Sequence, residues 1–205
     1  MYPLFFLLIN SLKDKVAYYK DPFILPQTVS FKHYESLVKN FGVFGYIKNT
    51  LIISVFSILL TLVCALTASY TFAKLKFKGK NIAFTVLLSL MMIPSELVVI
   101  TNFVTITNLD LRNTFTGLIL PSVASVFYIY LLKENFAQIP DELYLASKVD
   151  GTTDLKFLLK VVIPICKPTV ITVVILKIIE CWNSYVWPRL VTDNQKYFLV
   201  SNGIQ

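Results

Sequence analysis

Asn49 to Ala73 reads NTLIISVFSILLTLVCALTASYTFA, 25 residues without a charged side chain. As a helix this stretch reaches roughly 37 Å at the α-helical rise per residue. The hydrocarbon core of a bilayer is roughly 30 Å thick, so one such helix crosses it. A helix also satisfies its own backbone hydrogen bonds, as lipid demands. The rest of the chain suits the same solvent. Of its 205 residues, 56% are hydrophobic and 15% charged, against about 25% charged in soluble domains. Mean hydropathy is +0.67. One soluble core cannot hide that much apolar surface. The reading is therefore all-α, a polytopic transmembrane helical bundle.

Upstream, Leu4 to Leu12 is apolar but too short to cross. No basic residue precedes it and no small-residue cleavage site follows, so it is a poor signal-peptide core. Residues 1–12 read as part of a first span whose beginning lies outside the sequence. Residues 13–46 read as a polar external loop, with Asp21-Pro22, Leu25-Pro26, Gly42 and Gly45, and with Phe41–Tyr46 at the membrane surface. Residues 47–73 form span two. Residues 82–106 form span three, with Pro94 and Glu96 inside it. A short loop at 107–114 leads to span four at 115–132. The polar stretch 133–160 precedes span five at 161–181. Residues 182–205, with Trp182, Trp187 and Pro188, form an external segment without another span. The whole is one partial transmembrane domain.

The formal net charge is +7, and Lys74, Lys76, Lys78 and Lys80 fall within seven residues. Clustered beside an apolar span, such charge reads as membrane orientation rather than nucleic-acid binding, and it places 74–80 on the cytoplasmic side. Alternation then puts 133–160 inside and 107–114 and 182–205 outside. Cys64, Cys166 and Cys181 lie in or beside apolar runs without metal spacing and read as buried hydrophobes. The single His33 reads as a solvated loop residue. No constellation of acids, His, Ser or metal ligands falls inside the spans, which argues against a membrane enzyme.

The segment 139–168 is the polar island among the spans. Pro140 suits a first helical turn, where its missing N–H costs nothing. Asp141 and Glu142 favour the positive helix start. Leu143, Ala146, Val149 and Asp150 follow at helical spacing. Gly151 suits the left-handed turn that closes a helix, and Thr152, Thr153 or Asp154 can cap a second one. The expected form is helix, Gly turn, helix. Such a unit is either a knob for a partner's groove or a plain amphipathic linker.

Other polar residues have two readings each. Glu96, just past Pro94, either lines a pathway or reaches water at the helix break. Lys177 and Glu180 either pair on one helix face or meet a solute or partner. Trp182, Tyr185 and Trp187 either form an interfacial belt or stack on a sugar ring. Asn183 is the better polar pathway candidate among them.

Segment 139–168 resembles the coupling loop of ATP-binding-cassette importer permeases, written E-A-A, three residues, G, nine residues, I-x-L-P. Here Leu145-Ala146-Ser147 takes the triplet, with Gly151 and Pro164 at the matching spacing. Ile139-Pro140-Asp141-Glu142-Leu143, Val149-Asp150-Gly151 and Lys167-Pro168 resemble the carbohydrate-uptake branch, with its maltose-type and glycerol-phosphate-type permeases. Tyr46–Thr50, Ala68–Lys74, Met92-Ile93-Pro94, Leu111–Pro121 and Trp182–Pro188 resemble further family stretches in the same order. The resemblance implies a type I importer permease with five spans at least partly present and a sixth missing. It implies a bacterial cell-membrane subunit that imports sugars or glycerol derivatives by alternating access. The expected partners are a second, non-identical permease subunit, two copies of a cytoplasmic ATPase and an external solute-binding protein. ATP and Mg belong to the ATPase, and no cofactor is expected on this chain. Glu142, Leu145, Ala146, Ser147, Asp150, Gly151 and Pro164 are the implied ATPase-coupling residues. Leu145 departs from the family's acid, which makes the expected contact more apolar or fitted to a divergent ATPase. Importers of non-sugar solutes and a non-transporting scaffold or sensor are the competing readings.

Overall fold

The computed structural model describes residues 2–13, 29–40 and 42–203. Residues 14–28, with Asp21-Pro22 and Leu25-Pro26, and Phe41 lie outside the described residues. Helices α1 (Tyr2–Ser11) and α2 (Lys32–Asn40) come first. Helix α3 spans Val43–Lys74. Then follow α4 (Lys80–Ser89), α5 (Ser95–Asn108), α6 (Phe115–Ile119) and α7 (Val126–Ala137). Helices α8 (Asp141–Val149) and α9 (Asp154–Phe157) lead through a π-helical turn at Leu158–Val162 into α10 (Ile163–Ile165) and α11 (Lys167–Asn183). Helices α12 (Val186–Val191) and α13 (Val200–Gly203) close the described chain. Among the described residues there is no strand.

Among the described residues α3 alone is long and apolar enough to cross a membrane unaided, and counting each of three bent helix pairs as one span gives up to four. The stretch read as one span at 82–106 is bent by 96° between Met92 and Ser95. Proline explains this, because Pro94 has no N–H and pushes Ile93 into an extended conformation, ψ 115°. The stretch read as 115–132 bends by 49° past Ser122 and continues to Ala137. The fifth bends by 85° between Ile165 and Lys167, flanked by Pro164 and Pro168. The stretch read as a 13–46 loop contains α2 and the first residues of α3. His33 lies in α2 with Nε2 3.0 Å from the Lys13 carbonyl, not in a solvated loop.

Helix α3 is the spine, packed along α7 and α11. Its inward stripe is small and polar: Thr50, Ser54, Ser57, Thr61, Ala65 and Ser69 are all buried. Leu51, Val55, Phe56, Leu59 and Val63 are exposed. That inversion suits lipid, where apolar side chains face the solvent and small residues let helices approach closely. Two apolar clusters flank the spine. One gathers Tyr70, Leu132, Phe136, Phe157, Val162 and Val173. The other gathers Ile53, Ile106, Leu118, Ile119, Val191 and Leu199. The closing segment folds back on the start of α3: Asn49 donates to the carbonyls of Lys196 (2.8 Å) and Phe198 (2.9 Å).

Candidate functional site

Helix α8 begins where its sequence says it can. Pro140 stands at its N-cap with φ −56°, and Asp141 and Glu142 occupy the first turn. It ends at Gly151, whose φ is +69°. The Thr152 N–H reaches the Ser147 carbonyl (2.9 Å) and the Gly151 N–H reaches the Lys148 carbonyl (3.1 Å). These are the two bonds of a Schellman ending. Thr153 then caps α9 by accepting from the Lys156 N–H. A Cβ on Gly151 would meet nothing within 4 Å, so the position demands the left-handed backbone and not space.

The helix–Gly–helix unit is fastened to α3 at two points. Lys74 Nζ donates to the Ile139 carbonyl (2.5 Å) and to Asp141 Oδ1 (2.8 Å) just ahead of and inside the first turn of α8. The Lys74 side chain is 2% exposed. Asp154 makes the second fastening. Its Oδ1 accepts from the Tyr70 hydroxyl (2.7 Å) and the Tyr144 hydroxyl (3.2 Å), and its Oδ2 from Lys148 Nζ (2.9 Å). Phe157 sits beneath, with the Tyr144 ring edge-on to it at 5.5 Å. The Lys74 ammonium, by its hydrogen bond and charge, holds Asp141 below the usual carboxylate range. Asp154, which precedes the apolar run starting at Val161, is held low by Lys148 and then Tyr70. Lys148 is raised in return by Asp154.

The remaining surface of α8 faces outward. Leu145 is 61% exposed and Val149 88%, and Glu142, Ala146 and Asp150 are exposed beside them. Leu155 and Leu159 extend the apolar face. Ser147 is half-buried and donates to the Tyr144 carbonyl (2.7 Å). Pro164 is not brought to this face; it lies in α10 just ahead of the 85° bend. The structure thus groups Glu142, Leu145, Ala146 and Asp150 around the Gly151 turn. Tyr70 and Lys74 fall in the Ala68–Lys74 stretch that resembles the family and Asp154 among the candidate caps, but the sequence marked none of the three as a fastening.

A second polar site lies among α3, α5 and α11. Lys177 Nζ donates to the Ser122 carbonyl (2.9 Å) and to Glu180 Oε1 (2.9 Å). Glu180 Oε2 accepts from the Tyr128 hydroxyl (3.0 Å). Ser122 ends the short helical stretch before the 49° bend, so its carbonyl lacks a helical donor and the lysine supplies one. Glu180 also lines a cavity of about 270 Å³. Glu96 and Asn183 do not line it; both are exposed, and their neighbours Ser95 and Ser184 are on its wall. Trp187 lines it too and donates its indole N–H to the Gly117 carbonyl (3.3 Å), while Trp182 and Tyr185 are exposed. Gly117 is required there, because a Cβ would stand 2.2 Å from the Leu111 carbonyl oxygen. Among the described residues no three His, Cys, Asp or Glu are placed to hold a metal ion.

Residues 57–204 match the family model described as binding-protein-dependent transport system inner membrane component. The chain is similar to the arabinooligosaccharides transport system permease protein AraQ of Bacillus subtilis, 28% identical over 208 residues, covering 100% of this chain and 74% of that protein. It is similar to the diacetylchitobiose uptake system permease protein NgcG of Streptomyces coelicolor, 26% identical over 204 residues, covering 98% and 68%. It also resembles the sn-glycerol-3-phosphate transport system permease protein UgpE of Yersinia enterocolitica, 24% identical over 212 residues, covering 100% and 75%. Its fold superposes on a chain of a bacterial ABC transporter involved in the import of the acidic polysaccharide alginate. That match has a TM-score of 0.89 at 24% identity and covers 97% of this chain and 71% of the other.

Proposed function

The chain belongs to the binding-protein-dependent transport system inner membrane components, and from that membership we propose how it is driven. It is a multi-pass bacterial membrane protein, the permease subunit of a binding-protein-dependent importer. In our reading the imported solutes are sugars, the class named for the relatives from Bacillus and Streptomyces. The α8 knob seats in a groove of a cytoplasmic ATPase, which binds ATP and Mg. Two such ATPases serve this subunit and a second, non-identical permease, and a solute-binding protein delivers from outside.

The observation that carries this reading is the exposed apolar face at Leu145 and Val149 on a helix tied at two points to the membrane spine. An apolar face in water favours a partner that covers it. The fastenings let a push on the knob move α3 as one body, tilting the spans between inward and outward access. Leu145 stands where related permeases carry an acid, so apolar burial rather than an ion pair holds the ATPase here. Retention of the ATPase on the purified chain is therefore expected to survive 1 M salt, which screens exposed charges within about 3 Å. Leu145→Glu is expected to lose the ATPase and ATP-driven uptake while the chain stays in the membrane. Retained ATPase and unchanged uptake in Leu145→Glu would remove the knob from the drive train.

A further inference from the structure

The cavity among α3, α5 and α11 carries chemistry that a drive knob does not use. Its polar wall comprises Ser57, Ser95, Asn102, Ser122, Glu180 and Ser184, with Trp187 beside them. Ser57 is the telling member. It is 1% exposed, and its hydroxyl has no hydrogen-bond partner among the described residues. Its polar neighbour is the Cys181 thiol, a weak donor and acceptor. Buried hydroxyls are normally satisfied, so this one points to a guest that supplies the bond. Four serines, an amide and a carboxylate together accept and donate at many angles, as hydroxyl groups of a solute require. A Trp ring offers an apolar face with a polar edge. At about 270 Å³ the cavity falls below the roughly 300–1,000 Å³ of sites for drug-sized ligands, which suits a single ring.

The charge of the wall sharpens the class. Glu180 is the one carboxyl side chain of the wall, and no Lys, Arg or His stands among the lining residues. The Lys177 ammonium does not line the cavity and is engaged by Ser122 and Glu180. A phosphate or uronate entering here would meet the carboxylate side of the Lys177–Glu180 pair, whose ammonium is 1% exposed and is not on the wall, so the group it faces is the repelling one.

We propose that this cavity is a solute subsite within this subunit, taking one ring of a neutral polyhydroxylated solute and disfavouring phosphorylated or carboxylated ones. It rests on the importer reading above. The test uses the native complex purified through this chain and reconstituted in proteoliposomes with ATP inside. The probes are radiolabelled arabinotriose, diacetylchitobiose, maltotriose and sn-glycerol 3-phosphate. Uptake of at least one neutral saccharide is expected to exceed that of glycerol phosphate tenfold or more. Asn102→Leu and Ser57→Val are each expected to raise its half-saturation concentration at least fivefold, and Val104→Ala, on α5 outside the cavity, to leave it unchanged. If Ser57→Val does not assemble, Asn102→Leu decides alone. A preference for glycerol phosphate, or an unshifted half-saturation in the assembled variants, overturns the subsite. A wild-type complex that retains its ATPase yet imports none of the four sinks the subsite, and one that retains no ATPase sinks the importer reading with it.

Discussion

Gly151 shows how much a single backbone angle decides. Its φ of +69° lies in the left-handed region, and its surroundings are open. A β-branched side chain is strained there, whereas Asn tolerates the conformation. Gly151→Val is expected to lose about 1–2 kcal/mol at the turn and with it most ATP-driven uptake. Gly151→Asn is expected to retain uptake. If both variants fail alike, bulk against a partner rather than backbone conformation is what the glycine serves. Lys74 is the opposite kind of residue: the sequence shows its charge and its place at the end of a family-like stretch, but not what it holds. Its buried ammonium serves a carbonyl at the start of α8, and Lys74→Met strands that acceptor. The expected cost is on the order of 1–3 kcal/mol, read as a lower thermal midpoint of the purified chain and faster proteolysis at 139–153.

The α8–α9 unit is held by titratable groups, so its attachment depends on pH in a definite direction. Asp154 is depressed by Lys148 and Tyr70, so its contribution is complete above its unfolded value near about 4. It is lost as pH falls through the still lower folded value. Lys148 is raised by Asp154, so its contribution is complete below its unfolded value near about 10.4 and is lost only as pH rises beyond that. Amide exchange across 141–157, corrected for intrinsic rates, is expected to stay flat from about pH 5 to 9 and to quicken below about 4. Quickening already at pH 6 would mean that another group holds the unit. Helix, Gly turn and helix were readable here because caps and turns are local chemistry. The fastenings were not, because Lys74 and Tyr70 arrive from a helix, 67 and 84 positions upstream of their partners. The helix breaks were half-readable: Pro94 marked one, but 82–106 still scanned as a single span because hydropathy carries no direction.

The bundle as a whole resolves a conflict that broken membrane helices always create. Each bend frees backbone carbonyls that lipid cannot satisfy, so protein groups must do so. At the bend after Ser122 the repair is Lys177, a cation 1% exposed and donated from α11. Glu180 balances its charge and ties it to Tyr128 on α7. The lysine therefore has two duties, one to a carbonyl and one to a carboxylate, and they separate in a double-mutant cycle. Glu180→Gln keeps the carbonyl bond and is expected to lower the thermal midpoint of the purified chain only slightly. Lys177→Met leaves the carbonyl with only the long bond from the Thr61 hydroxyl (3.4 Å) and leaves the carboxylate without its cation, and is expected to lose more. The carbonyl share is on the order of 1–3 kcal/mol. Combining the two changes removes the unbalanced charge but does not restore the lysine's bond to the carbonyl, so the double variant should recover only part of the Lys177→Met loss. Full recovery would mean that charge balance alone holds Lys177 in place and that the bend at Ser122 is repaired by something else.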